Sequence, residues 1–110
     1  MITITDGVDF DTVAREWRLK WSDKDCLAAV HKLASQYFDA IKATKGFKGP
    51  LNRVVCGGCL DYKLIMPFTA EAFGDFEASG FGPEQEFLAK VKEIPGVSSV
   101  ETQTFTFMPM

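Results

Sequence analysis

From Thr12 to Trp21 the chain alternates. Val13, Trp17, Leu19 and Trp21 fall on one side, and Ala14, Glu16, Arg18 and Lys20 on the other. Period two with aromatic residues predicts a half-buried strand. Ser22, with Asp25 three positions on, offers a cap for a helix. Leu27, Val30, Ala34, Tyr37 and Ile41 then recur at helical spacing, widened by Leu33 and Phe38. This predicts one helix over 23–43, ended by Gly46, Gly49 and Pro50. Residues 51–56 read as a short second strand. Gly57-Gly58 fits a two-residue type I′ turn, in which both central residues need positive φ. Residues 59–68 form a third strand, with Leu60, Tyr62, Leu64, Met66 and Phe68 on its apolar face.

A short helical segment is expected over 69–77, interrupted by Ser79-Gly80-Phe81-Gly82. Pro83 suits the first position of a new helix. Phe87, Leu88, Val91 and Ile94 give that helix an apolar face, and Pro95-Gly96 stops it. Residues 97–108, rich in β-branched and aromatic side chains, predict a fourth strand. Residues 1–11 carry weak signals and read as an arm, leaving 12–110 as a single domain.

The order strand, helix, strand, strand, helix, strand implies an α+β, ferredoxin-like βαββαβ domain. Right-handed crossovers give a four-stranded antiparallel sheet in the order 4-1-3-2, with two helices on one face. The other face is then uncovered. Alternation places Glu16, Arg18 and Lys20 there, with Arg53 and Val55, Asp61, Lys63 and Ile65, and Glu101, Gln103, Phe105 and Phe107. A mixed face of this kind suits face-to-face packing of two copies, so a homodimer is expected.

Composition narrows the class. The chain has 110 residues, 46% of them hydrophobic and 25% charged, enough for one domain that needs no disulfide or metal to fold. Ten phenylalanines imply an aromatic core. A net charge of −3 argues against nucleic acid as partner. No apolar run approaches a membrane span. The N-terminal residues show no secretory signal, and three cysteines are an odd number. Reduced thiols and a cytoplasmic location are therefore the expectation.

Two clusters could carry chemistry. Arg18, Lys63, Asp61, Glu101 and Gln103 could meet on the open face and hold a carboxylate ligand by charge-assisted hydrogen bonds. The plainer reading is cross-strand ion pairing. Cys56-Gly57-Gly58-Cys59 is a CxxC motif across a turn, at a spacing that permits a disulfide. The plainer reading is two small apolar residues flanking the turn. Cys26, at the start of the first helix, is expected at the same end, which raises a redox or soft-metal site. His31 lies roughly 140° round the helix from Cys26 and would not join it on one ion. Its use as a base lacks an evident partner. Trp17 and Trp21 read as core. No cofactor is implied.

The stretch Gly58-Cys59-Leu60-Asp61-Tyr62-Lys63-Leu64-Ile65-Met66 resembles the turn and third strand of the ligand-binding domain of Lrp/AsnC-type regulators. Ile94-Pro95-Gly96-Val97, followed by Glu101-Thr102, resembles the helix end and last strand of that domain. The resemblance spans about residues 51–110. It implies a dimerising domain that binds amino acids or similar molecules near the hairpin, with Gly58 and Asp61 carried over. The chain departs from it in leaving no room for a helix-turn-helix, in its long first helix, and in an apparent insertion from Phe73 to Pro83. A broader likeness is to dimeric α+β barrel proteins, which include small enzymes. The expected function is a homodimeric small-molecule-binding domain. The alternatives are a small cofactor-independent enzyme, or a thiol-disulfide or metal-binding protein using Cys56 and Cys59.

Overall fold

The alternation at residues 12–20 becomes a central strand, flanked on both sides. A computed structural model describes residues 1–110. Strands β1 (Ile2–Thr5) and β2 (Val8–Phe10) form a hairpin of their own ahead of β3 (Thr12–Lys20). The expected formless arm is therefore a hairpin turned at Gly7, whose φ is +78°. Helices α1 (Lys24–Ser35) and α2 (Phe38–Lys42) follow, then β4 (Asn52–Cys56) and β5 (Asp61–Thr69). Helices α3 (Ala70–Ala78) and α4 (Glu84–Val91) lead to β6 (Ser98–Phe107). The main sheet runs β4-β5-β3-β6, every pair antiparallel. This is the order expected for the four core strands.

Helix α1 starts one residue later than its sequence cap suggested. Asp23, not Ser22, accepts the Cys26 N–H at 2.8 Å. The expected single helix breaks at residues 36–37. There Gln36 and Tyr37 donate to carbonyls three residues back, at 3.1 and 3.0 Å, a tighter turn than the α-helix makes. Tyr37 is thereby set edge-on to Trp17 and Phe87.

The core lies between the sheet and the helices. Trp17 stacks on Phe87 of α4, ring centroids 4.4 Å apart. Phe68 stacks on Phe76 of α3 at 4.2 Å, with Phe73 and Phe81 closing round them. The apparent insertion is thus a core element, held by phenylalanines. Glu84 is buried at the first turn of α4 and ties it to the sheet. Arg15 donates to both its oxygens, at 2.8 and 2.9 Å, and Trp17 Nε1 donates at 3.0 Å. The Arg15 guanidinium also lies 3.7 Å from the Phe81 ring centroid.

Candidate functional site

Cross-strand partners share a face, so the ladders settle what lies on the uncovered side. Arg18 pairs with Lys63 on one flank and Glu101 on the other; Glu16 pairs with Ile65 and Gln103; Ala14 pairs with Pro67 and Phe105. The face is therefore zoned. Ile65, Ala14, Pro67, Phe105 and Phe107 form an apolar upper part, and Arg18, Lys20, Asp61, Lys63 and Glu101 a charged lower part. Arg53 and Val55 do not belong to it. They stand opposite Leu64 and Tyr62, both core residues, and so face the helices, while Asn52 and Val54 take the open side.

The charged zone forms a concavity of about 240 Å³ lined by Arg18, Leu19, Lys20, Asp61, Lys63, Ser99 and Glu101. A bulge in β6 helps to make it. Between the pairs Arg18↔Glu101 and Lys20↔Ser98 the last strand carries one extra residue, and Ser99 takes a φ of +52°. Arg18 Nη2 donates to Glu101 at 2.8 Å, and Lys20 Nζ donates to Asp61 at 2.8 Å. Lys20 holds the Asp61 carboxyl below its usual range, chiefly through this hydrogen bond. Glu101 in turn raises the pKa of Arg18. Lys63 makes no ion pair with the protein. Of the residues expected here, Arg18, Lys63, Asp61 and Glu101 come together. Gln103 sits one row away, where its amide donates to buried Glu16 at 2.9 Å. Gly58 lies in the adjoining turn and not in the lining.

That turn differs from expectation. Cys56 pairs with Asp61, so the connection has four residues, 57–60, and β5 starts at Asp61. The left-handed position falls on Leu60, with φ +61°, and neither Gly57 nor Gly58 has positive φ. Leu60 is held there from two sides. Its side chain packs on the core, and its carbonyl accepts the Trp21 N–H at 3.0 Å. Cys56 and Cys59 are joined as a disulfide, Cα atoms 5.6 Å apart. Cys26 is not joined to them; it is buried in the core, its Sγ close to Gly96. No three His, Cys, Asp or Glu side chains are grouped so as to hold a metal ion.

A second concavity lies on the helix side and was not foreseen. Edge strand β4 stays exposed even on its helix-facing side, and a groove of about 370 Å³ lies there, lined by Lys24, Leu27, Ala28, His31, Arg53, Val55 and Tyr62. His31 and Arg53 also line its continuation toward Phe38, Lys42 and Leu51. His31 Nδ1 and Tyr62 Oη are hydrogen-bonded at 3.1 Å. Burial pushes the Tyr62 phenol up to about 12. His31 thus has the partner the sequence did not reveal. The signal was present: a helix residue and a strand residue on facing core sides.

No family model matches this sequence, and no curated protein matches it. No helix is long and apolar enough to cross a membrane. Solved structures share its fold. A variant of SnoaB, a cofactor-independent oxygenase from Streptomyces nogalater, superposes with a TM-score of 0.65 at 17% identity, covering 91% of this chain and 96% of that one. A protein assigned as an antibiotic biosynthesis monooxygenase from Deinococcus radiodurans gives 0.64 at 11% identity, covering 89% and 94%. Rv0793 from Mycobacterium tuberculosis gives 0.59 at 14% identity, covering 90% and 95%. At these identities the likeness is one of fold, and it supports the ferredoxin-like class without singling out the Lrp/AsnC type. The chain is an α+β protein of ferredoxin-like fold.

Proposed function

We propose that this protein is a homodimeric small-molecule-binding domain whose ligand carries a carboxylate or similar anion. The ligand is held at the charged end of the open sheet face by Arg18, Lys20 and Lys63, with Asp61 and Glu101 orienting the cations. The observation that carries this reading is the pocket's charge: three cations against two carboxylates, with Lys63 left without a protein partner. An unpaired ammonium beside a concavity is free to accept an anion by charge-assisted hydrogen bonds. The apolar zone above it supports pairing with a second copy, which would roof the pocket and exclude water. The amino-acid ligands implied by the Lrp/AsnC-type resemblance are of this chemistry, and the turn bearing Gly58 lies beside the pocket.

The test is a thermal-shift screen of amino acids and small carboxylates, followed by calorimetry on the best binder. Lys63→Met should weaken binding by about 1.5–3 kcal/mol, roughly ten- to a hundredfold. Unchanged affinity in both Lys63→Met and Arg18→Ala would remove the pocket from the account.

A second reading, a cofactor-independent enzyme, is favoured by the His31–Tyr62 pair in the groove with Arg53. There His31 would take a proton, Tyr62 would donate from a phenol kept neutral, and Arg53 would hold a developing anion. SnoaB is described as a cofactor-independent oxygenase, which lends this reading a precedent on the same fold. Turnover abolished by His31→Ala but retained in Arg18→Ala would favour the groove over the open face.

A further inference from the structure

The Cys56–Cys59 pair is not used by either reading, and its surroundings are unequal. The Cys59 N–H donates to Cys56 Sγ at 3.2 Å. Cys59 Sγ instead stands 3.2 Å from the Asp61 carboxylate. A backbone N–H favours a thiolate on Cys56, and a neighbouring carboxylate disfavours one on Cys59. Cys59 is exposed and Cys56 half-buried. The turn is also tied to the pocket: Lys20 Nζ donates to the Cys59 carbonyl at 2.9 Å as well as to Asp61.

We propose that Cys56 and Cys59 form a redox-active dithiol–disulfide site that exchanges with low-molecular-weight thiols and their disulfides. In the reducing direction an incoming thiolate attacks the exposed Cys59 sulfur. The protein S–S bond breaks, and its electron pair leaves on Cys56, where the Cys59 N–H receives it. A second small thiolate attacks the small molecule's sulfur in the mixed disulfide. Cys59 then leaves, and the two protons given up by the small thiols end on the two protein sulfurs, the Cys59 S–H donating a hydrogen bond to the Asp61 carboxylate. The sum is protein disulfide plus two thiols giving protein dithiol plus one small disulfide, with two electrons and two protons transferred. In the oxidising direction the Cys56 thiolate resolves a mixed disulfide on Cys59. Most CxxC sites depend on a helix N-terminus for their reactive thiolate; this one uses a single backbone N–H inside a hairpin turn.

The test is equilibration of the whole protein with graded mixtures of reduced and oxidised glutathione, followed by alkylation and mass measurement. Two alkyl groups should appear together across the titration, both on the 56–59 turn, with buried Cys26 unlabelled in the native protein. Cys56→Ser, lacking the resolving thiol, should accumulate a stable glutathione adduct on Cys59. Adding Asp61→Asn to Cys56→Ser should speed alkylation of Cys59, roughly threefold for each half unit by which its pKa falls. A turn whose two sulfurs stay in one state across every mixture would overturn the proposal. So would equal alkylation rates with and without Asp61→Asn, which would remove the asymmetry on which it rests. Neither result depends on whether the neighbouring pocket binds a ligand.

Discussion

Glu84 occupies a position that composition alone would assign to water. It follows Pro83 at the start of a helix, where a carboxylate usually faces solvent. Here it is buried, because Arg15 and Trp17 both donate to it from the sheet. Glu84→Ala leaves a nearly buried guanidinium and an indole N–H without their acceptor. The expected cost is about 3–5 kcal/mol, read as a fall in the urea midpoint. The two tyrosines make a complementary case. Burial raises Tyr37 and pushes Tyr62 up to about 12. An unfolded phenol ionises near pH ~10. A phenol with a raised folded pKa stabilises the native state fully below that pH, and the contribution fades as pH rises toward 12. Native protein near pH 10 should therefore show little phenolate absorbance, appearing only as the chain unfolds. Phenolate appearing in both tyrosines at ordinary pH, with the fold intact, would contradict their placement. Tyr37 belongs to the apolar stripe and its burial follows from that spacing, whereas Arg15 and Glu84 could not be read from the sequence because each owes its state to a partner 69 positions away.

At the level of elements, periodic apolar patterns were legible and backbone irregularities were not. The strand alternation from Val13 to Trp21 and the stripe from Leu27 to Ile41 both became real faces. The break at residues 36–37, the four-residue turn at 57–60 and the bulge at Ser99 left no periodic trace. Adjacent glycines are a strong local sign of a type I′ turn, yet the connection here is four residues long. Here packing of Leu60 and its bond from Trp21 override that preference. Gly96 is the opposite case, a glycine whose role follows from its place. Its φ is +92°, and a Cβ there would collide with Ser22 and press on Cys26. Gly96→Ala is expected to cost roughly 1–3 kcal/mol, measured as a lowered Tm, since both strain and overlap act. A neutral result would mean that the link from α4 to β6 is looser than drawn.

For the whole molecule, the order of elements was enough to place β3 between β5 and β6, and with it Arg18 between Lys63 and Glu101. That is why most of the open-face site was legible in the sequence. The helix-side groove was not, because it depends on the helices leaving Arg53 and Val55 of β4 uncovered. The two sites also divide the functional readings, one asking for a ligand and the other for a substrate. The open face also has an apolar half, in which Ile65 lies next to the charged rows and Phe105 and Phe107 lie farther along the strands. In the proposed dimer those side chains would meet the second copy, which would roof the charged zone below them. Light scattering across a range of protein concentrations tests this most directly. The account predicts a particle of twice the 12.2 kDa chain, reduced to the single chain by Phe105→Lys with the circular dichroism unchanged. A mass of one chain at every concentration, for the unaltered protein, would contradict it.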